Sequence, residues 1–174
     1  MNYFYVGPPE IRERVKDLPH GALIRSPTDA LQWLKAAGAK PSDVTIATWV
    51  VDAEGGLRLA DRHSEHVACA GGGPVRSAGE IGLSYHHGVD VVSITNQSTG
   101  FCPEPRSWPA VADALRHAGL EPPNGFDPAF EFRRCPSCHA INLIKDDHYF
   151  CGCGAELPRA WNFLEEGPLT DLPE

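Results

Sequence analysis

Positive charge is scarce in this chain of 174 residues. Fifteen lysines and arginines stand against 23 aspartates and glutamates, a net charge of −8. The basic residues do not cluster, and Arg133-Arg134 is the only adjacent pair. Phosphate contact is driven largely by Lys and Arg, so nucleic acid is a disfavoured partner. An anionic membrane surface would repel the chain. Long apolar runs are missing too, and no segment approaches the roughly 20 residues of a membrane span. The N-terminus, MNYFYVGPPEIRERV, has no charged region followed by a long apolar stretch, so no secretory leader is expected.

Cysteine is unevenly placed. Cys69 and Cys102 stand alone, while Cys135, Cys138, Cys151 and Cys153 fall close together. That is the distribution of a metal site plus free thiols in a reducing compartment, and the protein is expected to be cytoplasmic.

The rest of the chain reads as α+β. PPEIRERVKDL, SPTDALQWLKAAG and SWPAVADALRHAG have helical spacing. In the second, Ser26 is placed to cap, Pro27 to open the first turn and Gly38 to end it. YFYV, GALI, VTIATWVV, LRLA, HVACA, GEIGLSY and VDVVSITN read as strands, with DAEGG as a hairpin turn. The expectation is a mostly antiparallel sheet with about three helices over residues 1–121. A linker and entry strand (122–131), a small zinc ribbon (132–160) and a loosely ordered tail (161–174) follow.

The firmest motif is CPSCHAINLIKDDHYFCGCGAELP. A C-x-x-C turn lets two thiolates face one ion, and Pro136 pre-sets that turn. INLI, KDDH and YF read as strand, turn and strand, a hairpin that returns the second pair to the first. Four sulfurs from Cys135, Cys138, Cys151 and Cys153 would then surround Zn²⁺ tetrahedrally. His139 or His148 is an alternative ligand, because the second pair is Cys-Gly-Cys, one residue short of C-x-x-C. About residues 132–158 resemble a zinc ribbon. Four thiolates leave no open position for water, so the zinc is expected to be structural. The acidic neighbours Asp146, Asp147, Glu156, Glu165 and Glu166 favour a protein contact or scaffolding.

A second stretch, RLADRHSEHVACAGGG (58–73), is rich in reactive side chains. His63-Ser64-Glu65 fits the H-x-E half of a zinc deaminase. That chemistry also needs P-C-x-x-C, and Cys135–Cys138 lacks the proline and already has a partner pair. A cysteine nucleophile needs a nearby base, but Cys69 and Cys102 sit in apolar segments where a buried, inert thiol is the commoner fate. The glycine run lacks the context of a phosphate loop and reads as a turn between strands.

RHSEHVACAGGGPVRSAGEI, GVDVVSITNQSTGFCPEP and ALRHAGL together resemble a segment of plant calmodulin-binding IQ-motif proteins and of bacterial toxin-like domains. The resemblance spans about residues 62–120. It sets His63 and Ser64 on the first motif, Ala78, Gly79 and Glu80 on the second, and Ser98, Thr99, Gly100, Phe101 and Pro103 on the third. Glu65-His66 and STGFCPEP depart from the pattern. The resemblance implies a shared strand–strand–loop–helix unit and carries no activity with it. If LRLADRHSEH and ITNQSTGFCPEP are neighbouring strand ends, His63, Ser64 and Glu65 lie near Asn96, Gln97, Ser98 and Thr99, a polar pocket over a rigid sheet.

Two functions follow as expectations. The first is a zinc-binding cytoplasmic protein that works as a binding or protein-interaction module, its ribbon stiffening one end or docking a partner. The alternative is a small enzyme or effector-like domain acting on a nucleotide-type or protein substrate, with His63 and Glu65 as acid/base groups and Ser64 and Asn96–Thr99 holding the ligand.

Overall fold

The structure is a computed structural model that describes residues 1–163. Of the expected tail (161–174), residues 164–174 lie outside the described residues, while Trp161 and Phe163 are not loose but packed against the body. In chain order the elements are α1 (Pro9–Val15), β1 (Ala22–Ile24), α2 (Pro27–Ala36), β2 (Thr45–Asp52), β3 (Leu57–Asp61), α3 (His66–Cys69), β4 (Val75–Tyr85), β5 (Val89–Ile94), a 3₁₀ turn (Pro105–Ser107), α4 (Trp108–His117), β6 (Glu131–Arg134) and β7 (Ile141–Ile144).

β1 to β5 form one antiparallel sheet in the order β1-β3-β2-β4-β5. The β2–β3 hairpin closes where the sequence places DAEGG, with Gly55 at φ 93°. Alternation along the strands builds two buried faces. Ala47, Trp49, Val51, Leu57, Leu59, Ile81 and Leu83 meet Ala30 and Leu34 of α2 and Val111 and Leu115 of α4. On the other face Val50 and Ala78 pack with Tyr3, Val15, Val67, Cys69 and Phe101. Helices thus cover both sides of the sheet.

Two local expectations are corrected. HVACA is the short helix α3, not a strand, and the glycine run links that helix to β4. YFYV contributes only an isolated bridge, Tyr3 to Val75. The expected α+β class with a mostly antiparallel sheet holds, with four α-helices among the described residues once α3 is counted.

The C-terminal lobe is a separate two-stranded sheet, β6 with β7. It is tied to the body by specific bonds. The Asn96 side chain is buried, donates to the carbonyls of Pro103 (2.9 Å) and Phe130 (2.8 Å), and accepts from the Phe130 N–H (2.7 Å). Trp161 donates its indole N–H to the Cys102 carbonyl (2.8 Å), and its ring meets Tyr3 edge-on at 5.5 Å. Phe132, Cys102 and Phe163 fill the seam.

Candidate metal centre and the HSEH cleft

Cys135 and Cys138 sit at the turn between β6 and β7. Backbone bonds from Cys135 N–H to the Ala140 carbonyl and from His139 N–H to the Cys135 carbonyl shape that turn. The Cys138 N–H points at the Cys135 sulfur, 3.5 Å away. The second pair occupies its own tight turn. Cys151 N–H donates to Ala155, and Gly154 N–H to Cys151, with Gly154 at φ 89° and a Phe150–Glu156 bridge below. Glycine takes that left-handed conformation at no steric cost. The expected INLI–YF hairpin is therefore not formed: β7 pairs with β6, and two turns rather than one hairpin bring the cysteines together.

The four sulfurs all lie within 4.8 Å of one another, with Cys135–Cys153 at 3.6 Å and Cys138–Cys151 at 3.5 Å. A tetrahedron with Zn–S bonds of roughly 2.3 Å has edges of about 3.8 Å. The cluster is within metal-binding distance and compatible with zinc. His139 and His148 are not among its members, so the short second loop closes with cysteine alone. Cys135 and Cys151 are buried, Cys138 and Cys153 exposed.

Electrostatics in the turns favours the thiolate at two of the four positions, Cys135 and Cys151. The Cys138 N–H holds Cys135 down at about 6, and the Cys153 N–H lowers Cys151. At Cys138 the Ala140 N–H pulls down, but the neighbouring sulfurs of Cys151, Cys135 and Cys153 outweigh it and push the thiol up to about 12. Metal binding needs deprotonated thiols, so it releases the protons that the cluster holds.

The arginines of β6 frame this lobe. Arg133, 5% exposed, donates to the carbonyls of Pro158 and Arg159 and to Glu131. Glu131 also accepts from the Tyr149 hydroxyl at 2.9 Å, and Arg159 lies over the Tyr149 ring. Arg134 is clamped by Asn162 through both backbone groups and reaches the Val6 carbonyl.

The HSEH stretch leaves β3 and leads into α3. Asp61 accepts from the His63 N–H through its side chain (2.9 Å) and from the Ser64 N–H through its carbonyl (2.8 Å). The Thr48 hydroxyl reaches the Arg62 and Ser64 carbonyls. His63, Ser64 and Glu65 line a cleft of about 520 Å³ with Arg14, Asp61 and Cys69. Glu65 pairs loosely with Arg14 at 3.7 Å. Burial pushes the Cys69 thiol up to about 12, and burial likewise raises Cys102, so neither is an activated nucleophile.

Asn96 to Thr99 are elsewhere. β2 and β4 separate β3 from β5, so the two strand ends are not neighbours. Asn96 spends its amide on Pro103 and Phe130, Ser98 is buried, and Gln97 and Thr99 are exposed. The structure brings His63, Ser64 and Glu65 together and leaves the Asn96–Thr99 group out. Glu80, set on the second motif by the resemblance, is half-buried.

His66 has a role the residue pattern did not reveal. Its Nε2–H donates to the Gly79 carbonyl at 2.9 Å, which requires the neutral Nε2–H tautomer or the charged ring. Desolvation lowers its pKa below the ordinary 6.5, against the Gly79 bond and the charges of Glu80 and Glu65. A folded-state pKa below the unfolded value means that the unfolded chain takes up the proton more readily. The contribution of the neutral ring is full above about pH 6.5 and falls away below it. His66→Gln, which keeps an N–H donor without a titrating ring, should flatten stability between pH 7 and 5. Urea midpoints across that range test this; an unchanged slope would remove His66 as the cause.

The chain matches no protein-family model, no curated protein and no solved structure, so the resemblance of residues 62–120 to the IQ-motif and toxin-like segments has no support from these comparisons.

Proposed function

We propose that the four cysteines hold one structural Zn²⁺ in a zinc ribbon, and that this cytoplasmic protein is a binding or protein-interaction module. The observation that carries the metal is the mutual approach of four thiols to near-tetrahedral spacing. Four sulfur ligands fill the coordination sphere of zinc, which favours folding over catalysis. The ribbon offers an exposed Phe150, 52% accessible, beside the His148 ring at 5.4 Å. An aromatic pair on a chain of net charge −8 suits a protein partner better than nucleic acid. The test is elemental analysis of purified protein with cobalt substitution. One zinc per chain and the intense visible bands of tetrahedral cobalt thiolate are expected; a metal-free, stably folded lobe would overturn the assignment.

A second reading rests on the cleft that gathers His63, Ser64 and Glu65 beside Asp61 and Arg14. There His63 and Glu65 act as acid/base groups on a nucleotide-type ligand. A ligand at a hundred times its Kd adds about 2.7 kcal/mol. A thermal shift with nucleotides or nucleosides that His63→Ala abolishes supports this reading. A shift retained in that variant, or absent with every compound, counts against it.

A further inference from the structure

A cavity of about 670 Å³ lies away from both the HSEH cleft and the cysteines. It lies between the β2–β3 turn and α4. Its volume falls within the range of small-molecule sites. Arg58 and Arg76 are both among its lining residues, and each guanidinium is anchored by its Nε. Arg58 donates Nε to Asp52 (2.8 Å) and Nη1 to the Gly21 carbonyl (3.1 Å). Asp52, 7% exposed, is held in turn by the Gly56 N–H. Arg76 donates Nε to the Ala53 carbonyl (3.0 Å) and has no carboxylate partner among the described residues.

The hairpin is shaped for Arg76. A Cβ on Gly55 would sit 3.1 Å from its Nη1, so the bare glycine leaves room for the guanidinium to lie along the turn. The Nη2 of Arg58 and both Nη atoms of Arg76 have no acceptor among the described residues. On the opposite wall His117 uses Nδ1 on the Asp113 carbonyl, which leaves Nε2 free. Arg76 also borders a smaller cavity of about 260 Å³, lined in part by Tyr3. The Tyr3 hydroxyl is buried without a hydrogen-bond partner.

Held guanidinium forks with open N–H groups match the paired oxygens of phosphate or carboxylate. We propose that this cavity binds a small molecule with a phosphate or carboxylate head, gripped by Arg76 and Arg58 and closed upon by His117. Glu54 on the rim, exposed and without a partner among the described residues, takes hydroxyl or amine groups of the remainder. The site is independent of the cysteine cluster and of the HSEH cleft.

The experiment is calorimetric titration of the full-length protein with inorganic phosphate, glucose 6-phosphate and citrate. Saturable binding is expected, and the tighter head group names the class. Arg76→Gln should weaken it at least tenfold. His117→Glu, on an exposed helix wall, should abolish it without touching the Ala53 anchor, whereas Lys40→Gln, at an exposed residue between α2 and β2 that does not line the cavity, should change nothing. Circular dichroism melts of each variant separate lost binding from lost folding. Absence of binding by all three probes at millimolar concentration overturns the proposal, and so does equal binding by a folded Arg76→Gln or a folded His117→Glu.

Discussion

Stripping the zinc proposed at the four cysteines should unfold the second cysteine turn and loosen β6–β7, while the five-stranded sheet stays folded. The lobe has almost no core of its own. Its buried cluster is Cys135, Tyr149, Cys151 and Leu157, and two of those four belong to the cysteine set. Structural zinc in such small units supplies apparent folding free energy of roughly 10–16 kcal/mol, far more than this cluster can replace. The sheet, by contrast, buries Trp49, Val50, Ile81 and Leu83 completely and needs nothing from the metal. β6 and β7 lie between these cases, since Phe132 is held in the seam with Cys102 and Phe163. Hydrogen exchange reads the difference. With a strong chelator, the amides of Cys151, Gly154 and Leu157 should lose protection first, because their acceptors all lie within that turn. Those of β2 and β4 should keep theirs. Cys151→Ala should do the same in the presence of zinc. Unchanged protection in the chelated protein would mean that the lobe folds without a cation and that the thiols serve another purpose.

How much of this was legible depends on whether a signal is local. α2 was: Ser26 accepts the Asp29 N–H at 3.2 Å, Pro27 opens the helix and Gly38 leaves it at φ 78°. The β2–β3 hairpin and the cysteine set were local in the same sense, since turn chemistry and ligand spacing lie within a few residues. α4 was read correctly, but Ser107 does not cap it. Its hydroxyl meets Ser77 and the Glu104 carbonyl instead. HVACA was misread because a run of a few apolar residues has no resolvable period. What holds it as a helix is distant: the His66 ring on the Gly79 carbonyl and the Thr48 hydroxyl under the preceding turn. The partner of INLI was also misread. Alternation marks a strand without saying which neighbour it joins, and the neighbour is β6. Asn96 was expected as a ligand contact in a polar pocket. Its bonds to Phe130 span 34 positions, beyond the reach of any local pattern. The Arg58–Arg76 cavity was invisible for the same reason, because its walls come from a hairpin turn, the start of β4 and a helix.

Gly79→Ala is the other substitution with a large expected effect, and the reason is a backbone crossing. β5 leaves the sheet at Ile94, Thr95 N–H still donates to the Glu80 carbonyl at 2.9 Å, and the chain then passes directly over Gly79. A Cβ there would run into the Thr95 carbonyl oxygen, with the carbonyl carbon at 2.8 Å and the Asn96 Cα at 3.0 Å. These are main-chain atoms, which cannot rotate away as the end of a side chain can. Relief requires moving the segment that carries Asn96, whose amide makes three bonds, two to Phe130 and one to Pro103. Overpacking alone costs about 1–3 kcal/mol, and each buried group left unpaired adds roughly 1–3 more. A loss of at least ~3 kcal/mol is therefore expected from one methyl group. Gly88→Ala is the control, since nothing lies within 4 Å of a Cβ at that position. Surface changes of that kind stay within about 0.5 kcal/mol. Urea unfolding of the two variants decides the matter. Equal midpoints would mean that Thr95 does not cross β4 at this distance. A large gap, with weakened protection of the Phe130 amide in Gly79→Ala, would place the join between sheet and lobe on a glycine that no catalytic motif explains.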